Sequence, residues 1–264
     1  MKTIAGIFLL TCMASCATVP LTGRKQLSLV DDSQMQQQAT LAYKDLLSDP
    51  KTKVIKGTAD AQMLQRVGSR VASAITTYLK NSGYGNQYNY NWEFNLIQSP
   101  EVNAWCMPGG KVAVYTGILP VTKTDAGLAA VLGHEIGHAI AKHSSERASQ
   151  TMAAQIGAVA VDAATAKQTG ITRNLINNLY GVGGQVGLLK FSRDQESEAD
   201  KMGLIFMAMA GYDPNEALKF WERMANTQKG GQAPPEFLST HPSDSRRIAD
   251  IQRLLPQAMK YYKK

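Results

Sequence analysis

The apolar positions change their spacing along the chain, and each change predicts a different element. Between Ala59 and Lys80, the residues Leu64, Val67, Val71, Ile75, Tyr78 and Leu79 recur at helical spacing, which predicts a helix that buries one face. From Tyr90 the period drops to two. Tyr90, Trp92, Phe94 and Leu96 alternate with Asn91, Glu93 and Asn95, as in a strand with one buried side. Residues 102–107 and 111–115 flank Pro108-Gly109-Gly110, predicting two more short strands joined by a tight turn. Beyond Gly117 the pattern is helical. Gly211 closes one helix and Asp213-Pro214-Asn215-Glu216 opens the next, with Asp as cap, Pro at the first helical position and Glu three residues after the cap. Asp31-Asp32-Ser33 offers an earlier helix start, whereas residues 17–30 hold turn formers without a clear period and read as a tether. Residues 181–187 contain four glycines outside any phosphate-loop pattern and read as a connector. Residues 152–166 are apolar but too short for a membrane span and are interrupted by Gln155 and Asp162.

The first residues follow a different logic. Lys2 precedes an apolar run at 4–10 and then Met13-Ala14-Ser15-Cys16, the layout of a secretory signal ending in a bacterial lipoprotein box. Residues 1–15 are then the signal, Cys16 the lipidated first residue of the mature chain, 16–30 the tether and 31–264 a single domain. Cleavage near Ala17 without lipid is the alternative, and Cys12 is a competing site. Ala17, not Asp, follows Cys16, which by resemblance to enterobacterial lipoproteins favours the periplasmic side of the outer membrane, with the inner membrane or the soluble periplasm as alternatives. Of the three cysteines only Cys106 would remain unmodified, so no internal disulfide is available and stability must come from the core or a metal. With 44% hydrophobic and 19% charged residues in 264, a sizeable core is within reach and a disordered chain is excluded. The net charge of +7 comes from scattered Lys and Arg, dense only in residues 260–264, which describes a solvated surface and not a nucleic-acid partner.

The candidate chemistry lies in Val131-Leu132-Gly133-His134-Glu135-Ile136-Gly137-His138. On a helix, His134 and His138 are one turn apart and can bind one zinc ion, with Glu135 beside them to take a proton from the attacking water. A third protein ligand is required. His143 lies five residues after His138, about 140° around a continuous helix, and cannot face the same metal; a structural or capping role remains for it. Glu196 is the other candidate. It shares a helix face with Asp200, four residues on, while Glu198 points the opposite way, so Glu196 can ligate zinc and Asp200 can accept a hydrogen bond from a ligand imidazole.

Four segments in order, Asn103-Ala104-Trp105-Cys106-Met107-Pro108-Gly109-Gly110, the His134–His138 motif, Glu196-Ser197-Glu198-Ala199-Asp200 and His241-Pro242, resemble the HtpX and CAAX-prenyl-protease family of zinc metallopeptidases. The likeness covers roughly residues 30–255 and is nearest the periplasmic, BepA-like lipoprotein branch, which lacks the spanning helices of HtpX. It implies an α+β, mainly helical, zincin-like (gluzincin) domain with a small three-stranded sheet beside the active-site helix. One Zn2+ per chain is held by His134, His138 and Glu196, with Glu135 as general base and Asp200 behind a ligand. His241, read alone a fixed imidazole before Pro242, is placed by the resemblance over the metal as a latency switch or catalytic group. Arg247 matches an Arg that contacts the oxyanion or substrate, and residues 103–107, starting at Asn103 and Ala104, form an edge strand that binds extended substrate. The implied function is a zinc metalloendopeptidase, lipid-anchored to a membrane, that cleaves unfolded or misassembled envelope proteins. The alternative is a zinc-stabilised chaperone or assembly factor that works with the outer-membrane assembly machinery and keeps a latent protease activity.

Overall fold

The computed structural model describes residues 16–153, 192–227, 236–241 and 245–263. The expectations for the leader at 1–15, for the glycine-rich 181–187, for Pro242 and for 152–166 beyond Ala153 fall outside these residues. In chain order the elements are β1 (Cys16–Thr18), β2 (Lys25–Leu27), α1 (Asp32–Ser48), β3 (Val54–Ile55), α2 (Ala59–Asn81), β4 (Glu93–Ile97), β5 (Ala104–Met107), β6 (Lys111–Tyr115), α3 (Leu119–Thr122), α4 (Asp125–Ile140), α5 (Arg193–Met209), α6 (Asn215–Asn226), α7 (Glu236–Thr240) and α8 (Ser245–Ala258). Residues 143–153 form a further helical segment.

Among the described residues the main sheet has four strands in the order β3-β4-β6-β5, with β4 parallel to β6 and the other pairs antiparallel. This corrects the three-stranded expectation. Val54 and Ile55 pair with Ile97 and Leu96, and a two-residue strand is too short to show any period in sequence. β5 begins at Ala104, two residues later than expected; just before it the Asn103 carbonyl accepts from the Tyr115 N–H at 3.0 Å and the Val102 carbonyl from the Phe237 N–H at 3.1 Å. The β5–β6 turn needs its glycines: Gly109 and Gly110 have φ of 82° and 85°, and a Cβ on Gly110 would stand 2.8 Å from the Trp92 ring.

α1 covers one face of the sheet, packing Ala39 and Tyr43 on Ile97, Met107 and Ala113, with Tyr43 Oη donating to the Val112 carbonyl at 2.6 Å. On the other face Phe94, Leu96, Ala104, Val112 and Val114 join the main core with α2, α4 and α5. α2 starts at Thr58, whose hydroxyl accepts from the Ala61 N–H. It buries Leu64, Val67, Val71, Ile75 and Leu79, each contributing about 1.5–3 kcal/mol. The helix lies close on the sheet because Gly68 faces Phe94, where a Cβ would come within 2.5 Å of the ring.

α4 is buried all round from Gly127 to Ile140, as expected of a helix with apolar residues on every side. Its partner is α5, and small residues let their backbones meet. A Cβ on Gly133 would stand 2.7 Å from the Gly203 carbonyl oxygen, and one on Gly203 would stand 2.8 Å from the His134 nitrogen. α5 opens with a capping box in which Ser192 and Gln195 satisfy each other's backbone N–H groups, and closes at Gly211 with φ of 76°. α6 begins at Asn215 with Pro214 at the cap position and no side-chain capping bond, one residue later than expected, and the Asp213 carboxylate accepts from the Asn215 N–H at 2.9 Å just before it.

Residues 16–30 are more ordered than a tether. β1 and β2 pair as a hairpin, Val19 is fully buried, and the N–H groups of Leu29 and Val30 donate to Ser149 Oγ at 2.9 and 3.2 Å. Three-residue strands carry no periodicity, and these contacts span more than a hundred residues, so local pattern could not show them. Among the described residues no helix is long and apolar enough to cross a membrane.

Candidate metal centre

α4 aims two imidazoles the same way. His134 Nε2 and His138 Nε2 stand 3.1 Å apart, both buried. The first turn of α5 brings Glu196 against them, Oε1 at 3.3 Å from His138 Nε2 and Oε2 at 3.5 Å from His134 Nε2. The short α7 then delivers His241, whose Nδ1 lies 3.1 Å from His134 Nε2 and 2.9 Å from Glu196 Oε1. α7 is itself fixed to the lead-in of β5 by the bond between Phe237 N–H and the Val102 carbonyl, and Phe237 packs at 4.8 Å between ring centroids on His241.

Three imidazole nitrogens and one carboxylate therefore converge, all four residues buried and their ligand atoms within 4.8 Å of one another. Ligands about 2.0–2.1 Å from a tetrahedral zinc ion stand about 3.3 Å from each other, close to the separations found here, and nitrogen with carboxylate oxygen is a donor set zinc accepts. The protonation states fit as well. Burial pushes His138 well below its ordinary value and keeps it neutral. Although burial raises Glu196, the facing His241 and His138 hold its carboxyl far below the carboxylate range. These residues form a zinc site.

Glu135 is buried beside the cluster, its Oε1 3.5 Å from His241 Nε2 and without a hydrogen-bond donor. Burial is the main reason its pKa rises to about 7, with Glu196 adding to the rise and His241 opposing it. A carboxyl poised there can exchange a proton near neutral pH. Asp200 Oδ1 lies 2.9 Å from His134 Nδ1, where the Glu-x-x-x-Asp spacing put it. Arg247 from α8 stands behind both acids. Its Nη2 donates to Asp200 at 2.7 Å, its Nη1 pairs with Glu196 at 3.0 Å, and its guanidinium lies 3.4 Å from the Trp221 ring centroid. The two Nη groups expected to reach an oxyanion or substrate are thus engaged by carboxylates in this conformation.

Asn103 and Ala104 lie at the start of β5, one of the two edge strands of the sheet, with Asn103 Oδ1 accepting from the Ala104 N–H at 2.9 Å. Cys106 on the same strand is half-buried, and burial together with Glu135 pushes its thiol well above its ordinary pKa, which favours the neutral thiol over the thiolate.

Two residues that sequence reasoning set aside stand next to the cluster. His143 Nδ1 is 2.8 Å from His138 Nδ1, and His143 Nε2 is 3.0 Å from Glu198 Oε2. The extrapolated helix failed at Lys142, which has φ of 53°: α4 ends at Ile140, the chain turns, and His143 comes back against His138. Glu198 does point away from Glu196, as its spacing required, but toward His143. Its carboxyl is held down at about 2, burial opposing the shift and hydrogen bonds from His143, Thr22 and Arg24 causing it.

Fold and site together define a zincin-type metallopeptidase centre, with His-Glu-x-x-His on one helix and the third ligand on the next. The sequence pattern described as "Peptidase family M48" matches residues 59–255, and the chain belongs to that family. It is 35% identical over 241 residues to "Mitochondrial metalloendopeptidase OMA1" of Schizosaccharomyces pombe, covering 91% of this chain and 66% of that protein. With "Metalloendopeptidase OMA1, mitochondrial" of Homo sapiens it shares 29% identity over 258 residues, or 91% and 46% of the two chains. With "Putative beta-barrel assembly-enhancing protease" of Vibrio cholerae it shares 30% over 188 residues, 67% of this chain and 38% of that one. The chain thus spans between about two fifths and two thirds of the length of these relatives. The likeness to OMA1 proteins covers more of the chain than the likeness to the β-barrel assembly-enhancing protease, so the BepA-like branch expected from sequence is the more distant of the relatives named here.

Proposed function

We propose that the chain is a zinc metalloendopeptidase that cleaves unfolded or misassembled proteins of a cell envelope. The observation that carries this reading is the convergence of His134, His138 and Glu196 with Glu135 alongside. The names of relatives, metalloendopeptidases and a protease that enhances β-barrel assembly, support a role in protein quality control. His134, His138 and Glu196 hold the metal. A bound zinc ion supplies Lewis-acid chemistry, polarising a carbonyl oxygen and acidifying water. Glu135 accepts a proton from the attacking water and returns it to the leaving nitrogen, a task suited to a carboxyl near 7. Asp200 fixes the ring of His134 through Nδ1, and Arg247 holds Asp200 and Glu196 in place. An extended substrate pairs with the backbone of β5 from Asn103 and Ala104 onward, which selects for unfolded chain without selecting its sequence. Offering one protein both folded and denatured tests this: only the denatured form should be cut, and equal cleavage of both contradicts the reading.

His241 supports a second reading, a zinc-stabilised chaperone or assembly factor with latent proteolysis, because its Nδ1 takes the position of a fourth donor. As a latency switch, His241→Ala raises cleavage; as a catalytic group, the same change abolishes it. In this reading the chain sits on the periplasmic side of the outer membrane through lipid on Cys16; the exposure of Cys16 at the start of β1 is compatible with an anchor there. Mass spectrometry of the mature amino terminus from a bacterial host should find acylated Cys16. An unmodified start near Ala17 contradicts the anchor.

A further inference from the structure

The zinc ligand His138 has a second nitrogen, and the chain of contacts that begins there ends in the amino-terminal hairpin. A neutral imidazole carries one N–H and one lone pair, so the partners of its nitrogens dictate its tautomer. His138 turns Nε2 to the metal cluster, which puts its proton on Nδ1. That N–H can donate only to a lone pair, so His143 Nδ1, 2.8 Å away, is the acceptor and the His143 proton sits on Nε2. His143 Nε2–H then donates to Glu198 Oε2 at 3.0 Å. Glu198 is in turn fixed by Arg24 Nε–H at 2.7 Å and by the Thr22 hydroxyl. The same guanidinium spans to Glu146, with Nη1 at 2.6 Å and Nη2 at 2.9 Å, and Gln195 Nε2 donates to Glu146 at 2.9 Å.

With His138 Nε2 turned to the metal, this assignment of protons gives each of these contacts one donor and one acceptor. His143 is fully buried, and Glu146 and Glu198 are nearly so. Arg24 stands where the loop between β1 and β2 re-enters β2, fixed by the bond from the Val19 N–H to its carbonyl at 2.8 Å.

From this geometry we propose that His143 is a positioning residue that orients zinc ligand His138, and that Arg24 of the amino-terminal hairpin holds His143 in register through Glu198. The proposal rests on the zinc reading of the site. It makes the hairpin, whose sequence reads as a tether, a working part of the metal centre.

The test uses the full chain and zinc affinity measured by competition with a chromogenic chelator, joined to the visible absorption spectrum of the cobalt-substituted protein, which reports ligand geometry. His143→Ala should weaken zinc binding by about 10–100-fold, the range for losing a hydrogen-bond partner of a metal-bound His, and should change the cobalt spectrum. His143→Gln, whose side-chain oxygen can accept from His138 and whose NH2 can donate to Glu198, should recover most of the affinity. Arg24→Ala, at the outer end and clear of the core, should weaken binding by a few fold. Wild-type affinity and spectrum in His143→Ala overturn the role of His143, and the same result in Arg24→Ala overturns the link to the hairpin. Equal loss in His143→Gln and His143→Ala shows that packing and not hydrogen bonding is at work, and overturns the relay. A wild-type chain that binds no zinc overturns the reading of the site as well.

Discussion

The two imidazoles of α4 sit one turn apart, yet they are supported from opposite sides by different chemistry. His134 leans on a carboxylate: Asp200 accepts from its Nδ1, Arg247 locks Asp200 to Glu196, and Trp221 lies over the guanidinium. All of that lies in α5, α6 and α8, and every charged atom is buried. His138 leans on a neutral ring, His143, with Glu198, Arg24 and Glu146 behind it, and Arg24 is about one third exposed. A deeply buried carboxylate–guanidinium pair is costly to break, because either charge left alone is stranded in low dielectric. A pair open to solvent on one side loses less. The carboxy-terminal support should therefore be the stronger of the two.

Asp200→Ala is the change with the largest expected effect. It removes the acceptor for His134 and strands Arg247, so zinc affinity should fall by about 10–100-fold and stability by about 3–5 kcal/mol. Chelator competition and thermal unfolding measure the two. An effect no larger than that of Arg24→Ala would break the proposed asymmetry. Gly203→Ala tests what both supports share. Its Cβ would come within 2.8 Å of the His134 nitrogen and 2.9 Å of the Gly133 carbonyl carbon, so α4 and α5 must part. A loss of about 1–3 kcal/mol in unfolding free energy is expected, with weaker zinc binding through both ligands.

The smallest effect is electrostatic and belongs to the amino-terminal side. Burial raises the Glu146 carboxyl, but hydrogen bonds from Arg24 and Gln195 outweigh it and hold the group below its usual 4.5. As pH falls past that value the unfolded chain takes up the proton first, so the stability contributed by this carboxylate is present above 4.5 and is lost progressively below it. Unfolding midpoints measured from pH 7 down to pH 3 should show Arg24→Ala less stable by about 1 kcal/mol at neutral pH, with the gap to the wild type closing in acid. A gap that widens in acid contradicts the assignment.

What could be read from sequence follows the range of the interactions. His134 and His138 are set by spacing within one helix, and Glu196 with Asp200 by spacing within another, so helical geometry alone put each pair on one face. His241 came from resemblance, since nothing local distinguishes one His before a proline. The strands β4, β5 and β6 announced themselves by alternation and a glycine turn, whereas β3 with two residues did not. Arg24 was missed, and His143 was given only a general structural or capping role, for physical reasons. The bond from Arg24 to Glu198 spans 174 residues, and the approach of His143 to His138 depends on a left-handed residue at Lys142 that ends the helix. Periodicity reports what lies along an element; it is silent on how elements meet.

The most direct test of the account compares the wild type with Glu135→Gln for bound zinc and for cleavage of a denatured protein. The account predicts one zinc per chain in both and cleavage by the wild type alone, since the substitution keeps the shape of the side chain and removes its ability to take a proton. Cleavage by Glu135→Gln at the wild-type rate, or a wild type that holds no zinc, would contradict it.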